Sequence, residues 1–212
     1  MTQPDPVKRL TCPRCMRPQR TCLCGWISPT AHAVQVLILQ HPLEVHQAKG
    51  SAALLQLSLP GSRLEVGEAF AEPVLQALLQ APPGGRTVLL YPDTPGDQSL
   101  QLAAPPPLDP ARLPEAEKLR LVVLDGTWRK SRKMLYLNPL LQQLPRLALQ
   151  HMPTAMPASR YLIRKAQRPG QLSTLEATCH ALMQLEHNEG RYLPLLAAFD
   201  GFVAQQLAYG GR

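Results

Sequence analysis

Four of the chain's five cysteines fall within one short stretch, as Cys12-x-x-Cys15 followed by Cys22-x-Cys24. Four thiolates at this spacing suit a tetrahedral Zn²⁺, and a closed four-sulfur site leaves no open position for a substrate, so its role is structural. Pro13, Pro18 and Gly25 supply the tight turns that such a knuckle needs. An iron–sulfur cluster with radical chemistry fits less well, because it wants three cysteines at wider spacing. In a cytosolic chain the cluster reads as metal-binding rather than as disulfides. The fifth cysteine, Cys179, lies in an apolar helical stretch and reads as a core thiol.

A second group of residues has the types that reaction chemistry needs. Asp125-Gly126-Thr127-Trp128 follows a buried apolar run. A carboxylate there can act as a general base. It can equally accept the amides of the next residues as a helix N-cap, and taken alone the cap is the better reading. Trp128 is either core or a stacking platform. Farther on, Ser159-Arg160-Tyr161-Leu162-Ile163-Arg164-Lys165 and Gly170 precede Leu172-Ser173-Thr174-Leu175-Glu176-Ala177. Ser173-x-x-Glu176 is a capping box with an apolar helix behind it. A helix start preceded by a basic, glycine-containing loop is also a ready site for a carboxylate or nucleotide. His41-Pro42-x-Glu44-x-His46 has spacing that a metal could use, but Pro42 breaks the helical arrangement this would require. Leu90-Tyr91-Pro92 has little specificity by itself.

The elements that must position these residues are apolar strands alternating with helices. Strands are expected at residues 33–39, 63–66, 87–91, 119–124 and 146–149. Helices are expected at 45–57 (weakened by Gly50), 72–80, 128–137, from 174 onward, and 192–208 with Pro194 in the first turn. Residues 103–114 form a proline-rich loop, and 151–172 read as irregular. This pattern predicts an α/β fold, a mostly parallel sheet flanked by helices, with ligands beyond the carboxyl ends of the strands. Three of the polar motifs fall at such ends, after Leu39, Leu90 and Leu124. The chain divides into a knuckle over 1–30 and an α/β domain over 31–212.

At 212 residues and 45% hydrophobic composition, the chain can bury a sizeable core. No apolar run is long enough to span a bilayer and the first residues lack a secretory signal, so a cytoplasmic protein without a membrane partner is expected. The net charge of +7 is concentrated in three stretches without acids: Lys8, Arg9, Arg14, Arg17 and Arg20; residues 129–133; and Arg160, Arg164, Lys165 and Arg168. Any one stretch alone is a solvated face. Three beside the motifs favour a polyanionic partner.

Taken in order, the cysteine cluster, His41-Pro42, Leu90-Tyr91-Pro92, Asp125-x-Thr127-Trp128 and Ser159…Arg164-Lys165…Leu172-Ser173-Thr174-Leu175-Glu176-Ala177 resemble the DTW-domain family over about residues 12–186. One departure is Gly126, where a slightly larger residue is expected in many relatives. The resemblance implies a tRNA-uridine aminocarboxypropyltransferase, which moves the 3-amino-3-carboxypropyl group of S-adenosylmethionine to N3 of a tRNA uridine in the variable loop (position 47). It implies a SPOUT-like fold with a C-terminal trefoil knot, as in a related ribosomal-RNA enzyme with a similar motif pair. It makes Asp125 the catalytic base. It places the cofactor against Leu90, Tyr91, Pro92, Thr127, Trp128, Arg160, Tyr161, Leu162, Arg164, Leu172, Ser173 and Thr174. Zinc falls to Cys12, Cys15, Cys22 and Cys24. RNA phosphates fall to Arg14, Arg17, Arg20, Lys49, Arg129, Lys130, Arg132 and Lys133. A monomer and a homodimer are both compatible with it. The rival readings are a SPOUT-type RNA methyltransferase and a zinc-knuckle RNA-binding protein without catalysis.

Overall fold

The computed structural model describes residues 10–45, 47–48, 50–92, 104–149 and 172–210. Its frame is a five-stranded sheet: β1 Gln35–Gln40, β2 Arg63–Val66, β3 Arg86–Leu90, β4 Leu119–Asp125 and β5 Arg146–Leu147. The strand order is β2-β1-β4-β3-β5. Among the described residues all four pairings are parallel, in keeping with the expected mostly parallel sheet. The central strands are apolar along almost their whole length because helices cover both faces.

Alternate side chains of each strand enter opposite layers. On one face Val36, Ile38, Val88, Leu121 and Val123 pack with α1 (Ala52–Ser58), α5 (Thr174–Glu186) and α6 (Leu193–Gly210). On the other, Leu37, Leu39, Leu89, Val122 and Leu124 pack with α2 (Glu72–Leu79), α3 (Trp128–Leu137) and α4 (Pro139–Gln142). No helix among the described residues is long and apolar enough to cross a membrane.

The helix expected over 45–57 begins only at Ala52. Pro42–Glu44 forms a 3-10 turn instead, and the chain then turns at Gly50, whose N–H donates to the Gln47 carbonyl at 2.9 Å. A Cβ on Gly50 would lie 3.1 Å from that same carbonyl oxygen, so glycine suits the turn.

The cysteine segment is fastened to the α/β layers. Leu23, between two cysteines, is fully buried in the α1/α5/α6 layer. The Trp26 indole N–H donates to Gln205 Oε1 at 2.8 Å, and Gln205 Nε2 donates back to the Cys22 carbonyl at 3.3 Å. Gly201 of α6 makes room for the indole, since a Cβ there would stand 2.0 Å from the Trp26 ring.

Candidate active site

β1 and β4 end together. Gln40 and Asp125 are register partners on adjacent parallel strands, so their side chains leave the same face side by side. Both are buried, Asp125 to 2% exposure. The carboxylate of Asp125 accepts from Gln40 Nε2 at 2.9 Å through Oδ2 and from the Thr174 hydroxyl at 2.6 Å through Oδ1. Its backbone carbonyl accepts the His41 N–H at 2.9 Å. The cap reading of Asp125 is therefore wrong. Residue 125 still belongs to the strand, and Thr127 is the N-cap of α3, its hydroxyl accepting the Lys130 N–H at 3.4 Å. That leaves Asp125 turned toward the start of α5.

The α5 start is the capping box that the sequence predicts. The Ser173 hydroxyl accepts the Glu176 N–H at 3.2 Å, and Glu176 Oε2 accepts the Ser173 N–H at 2.8 Å. Leu175 N–H donates to Ser51 Oγ at 3.3 Å. Three amides at this terminus thus have partners inside the protein, which removes much of the bare anion site expected of a helix N-terminus. The Thr174 hydroxyl, with its proton directed to Asp125, can only accept from a ligand.

Beyond β3 stands an aromatic stack. Trp128 lies over Tyr91 with ring centroids 5.1 Å apart and planes 16° from parallel, and the Arg146 guanidinium lies over Tyr91 at 5.2 Å. Tyr91 is thus closed in between two neighbours and buried, whereas Trp128 is 48% exposed. The indole is the ring here with surface for another flat group.

The loops after β1 and β2 are tied down by ion pairs to α3. Lys130 Nζ is 2.9 Å from the buried Glu44, and Lys133 Nζ is 2.9 Å from Glu68. The His41 ring accepts the Leu43 N–H at Nδ1, so Nε2 carries the proton given to Glu68 at 2.8 Å. Lys133 first, then His41, hold the Glu68 carboxyl below its ordinary range. His41 is thus used in the fold, and among the described residues the cysteines form the one group able to hold a metal.

The four cysteine sulfurs lie within 4.8 Å of one another, with Cys12–Cys24 at 3.6 Å and Cys15–Cys22 at 3.7 Å. Tetrahedral Zn²⁺ with sulfurs at ~2.3 Å requires sulfur separations of about 3.8 Å, so the donor set fits zinc. The N–H groups of Cys15 and then Arg14 lower the Cys12 thiol to about 6, while burial pushes Cys24 up to about 12.

The basic residues divide by environment. Arg14, Arg20 and Arg129 are exposed, and Arg132 is half-buried. Lys130 and Lys133 are in the ion pairs above. Arg17 donates to the Ala48 carbonyl at 2.7 Å, to Gln47 at 3.3 Å and to Gly50 at 2.9 Å, and lies over the Phe202 ring at 5.0 Å. It fastens the knuckle to the loop before α1. Lys49, Arg160, Tyr161, Leu162 and Arg164 lie outside the described residues, as does His46.

The sequence profile of the DTW domain matches residues 9–207. The chain belongs to the DTW-domain family. It is similar to tRNA-uridine aminocarboxypropyltransferase 2 of Macaca fascicularis, at 28% identity over 98% of this chain and 67% of the relative. The Drosophila melanogaster protein of that name is 32% identical over 85% of this chain and 68% of its own length. tRNA-uridine aminocarboxypropyltransferase A of Arabidopsis thaliana is 24% identical over 84% and 74%. The chain spans about two thirds of the length of the animal relatives, 66% for the Mus musculus protein. No solved structure matches.

In this DTW-domain protein, the described residues of three motifs, Leu90-Tyr91-Pro92, Asp125-x-Thr127-Trp128 and Leu172-Ser173-Thr174, lie at the carboxyl ends of β3 and β4. Asp125 and Thr174 touch, Tyr91 and Trp128 stack, and Thr127 starts the helix between them. Leu90, Leu172 and Ser173 are half-buried at the same edge, and Pro92 is exposed. Gln40, Ser51 and Glu68 also serve the site, although their types and spacing in the sequence mark none of them as functional. Gln40 alone carried a signal: it is the last residue of an apolar run that ends at the ligand edge.

Proposed function

We propose that this DTW-domain chain is a tRNA-uridine aminocarboxypropyltransferase that uses S-adenosylmethionine and modifies N3 of a uridine in the tRNA variable loop. The observation that carries the reading is Asp125: a buried carboxylate at the carboxyl edge of a parallel sheet, with a hydrogen-bond donor on each oxygen. A carboxylate has lone pairs beyond those two, and one of them can receive a proton.

S-adenosylmethionine supplies an electrophilic methylene and a sulfonium leaving group. Uridine N3–H is a weak acid, and its proton passes to Asp125 as N3 forms a bond to the γ-carbon. The carbon–sulfur bond breaks, and methylthioadenosine leaves with the electron pair. Holding N3, the γ-carbon and sulfur in line supports this product over methyl transfer. The exposed indole of Trp128 suits stacking on a base, worth about 1–3 kcal/mol. Leu90, Tyr91, Pro92, Thr127, Arg160, Tyr161, Leu162, Leu172, Ser173 and Thr174 complete the cofactor pocket, and Arg164 holds the carboxylate of the transferred group.

In this reading a Zn²⁺ held by Cys12, Cys15, Cys22 and Cys24 is structural and presents Arg14 and Arg20 to RNA phosphates, together with Arg129, Arg132 and Lys49. The likeness to SPOUT enzymes extends to a C-terminal trefoil knot, tested by tracing residues 150–171 in a crystal structure. The function is tested by incubating the protein with S-adenosylmethionine and unmodified tRNA. Methylthioadenosine by mass spectrometry, with the adduct at a variable-loop uridine, is the expected result. S-adenosylhomocysteine instead would make the protein a methyltransferase.

A further inference from the structure

We propose that Gln40 is a positioning residue for the reaction: its side-chain amide, with the Thr174 hydroxyl, fixes the Asp125 carboxylate in the orientation that receives the uridine N3 proton. This rests on the reading of Asp125 as the base.

Gln40 closes β1, Asp125 closes β4, and the two are register partners with buried side chains. The His41 N–H to Asp125 carbonyl bond fixes the backbones at the same point. A carboxylate only accepts, so the amide must present its NH₂ to Asp125 Oδ2, 2.9 Å away. Thr174 holds the other oxygen at 2.6 Å from the α5 side. Two donors on two elements, 85 and 49 residues away in sequence, fix both rotation and tilt of the carboxyl plane. With Gln40 removed, Thr174 alone still permits rotation about the Cβ–Cγ bond. A displacement near 1 Å at a reacting atom can cost roughly a hundredfold in rate.

The test uses Gln40→Met, which keeps chain length and removes the donors. We expect kcat to fall about ten- to a hundredfold, with KM for S-adenosylmethionine and tRNA nearly unchanged. The decisive readout replaces the tRNA with one transcribed with 5-fluorouridine, whose N3–H is more acidic and depends less on a well-placed base. The Gln40→Met deficit should shrink on the fluorinated tRNA, as should that of Asp125→Asn. Gln40→Asn, which keeps an amide one methylene shorter, should show the same dependence on nucleophile acidity if Gln40→Met folds poorly.

A wild-type kcat in Gln40→Met, or equal deficits on both tRNAs in both Gln40 variants, overturns the role. If wild-type protein forms no methylthioadenosine with tRNA, the reading of the site fails first. If it does and only the Gln40 results are negative, the base stands and its positioning by Gln40 is wrong.

Discussion

Replacing Leu23 by alanine should destabilise the whole protein, although Leu23 lies between two metal-ligand candidates in a segment that looks separate in sequence. The side chain is fully buried in the layer formed by α1, α5 and α6. Its neighbours are held from both sides: Trp26 is bonded to Gln205, and Gln205 donates to the carbonyl of Cys22. With its flanks fastened, the site cannot readily collapse into the void, so the loss belongs with buried Leu→Ala changes, about 2–5 kcal/mol. For a chain of this size each kcal/mol shifts Tm by about 2–4 °C, which gives a fall of roughly 4–20 °C. Thermal unfolding followed by circular dichroism at matched zinc content measures it. A single transition moved down by that amount supports a knuckle built into the core. A Tm within about a degree of wild type would refute the claim that the knuckle and the α/β layers share one core.

Glu176→Gln should keep both halves of the capping box, because the amide oxygen still accepts the Ser173 N–H; turnover and Tm near wild type are expected, and a large loss of turnover at unchanged Tm would assign Glu176 a further role. Glu68 is held below its ordinary value of 4.5 by Lys133 and His41, so its stabilisation is present above that pH and lost as pH falls below it. Glu68→Gln should therefore lower Tm at neutral pH, with the difference shrinking as the pH falls below 4.5; a constant difference would contradict the ion pairing. Lys130 already faces Glu44, whereas Arg129 is exposed, so Arg129→Met should flatten the salt dependence of tRNA binding by about one unit of log–log slope while Lys130→Met mainly lowers Tm.

Most of the frame was legible because apolar periodicity and caps are local. The run of residues 119–124 yields β4, extended by Asp125, and α3 has the predicted bounds, since Thr127 caps it and Pro139 follows its end. The capping box at Ser173 likewise depends on residues three apart. Features that tertiary contacts decide are not legible in the sequence. The helix expected from residue 45 starts at Ala52 because the Arg17 guanidinium gathers the carbonyls of Gln47, Ala48 and Gly50 into a turn. Asp125 looks like a cap in a linear reading, and only the parallel register with β1 and the approach of α5 turn it into a carboxylate gripped from two sides. Lys130 and Lys133 look like free phosphate ligands until Glu44 and Glu68 arrive from distant loops. Gly126 departs from the larger residue expected there, and a Cβ at that position would meet Lys130 Cβ at 3.1 Å, so glycine relieves the close start of α3.

In the proposed reaction Asp125 is the base for aminocarboxypropyl transfer to tRNA. The most direct measurement is the small-molecule product formed by the full chain with S-adenosylmethionine and unmodified tRNA, with Asp125→Ala alongside. Methylthioadenosine made by the wild type, dependent on tRNA and absent from a folded Asp125→Ala, is the predicted result. Methylthioadenosine formed equally by Asp125→Ala would contradict Asp125 as the base, and S-adenosylhomocysteine formed in its place would contradict aminocarboxypropyl transfer.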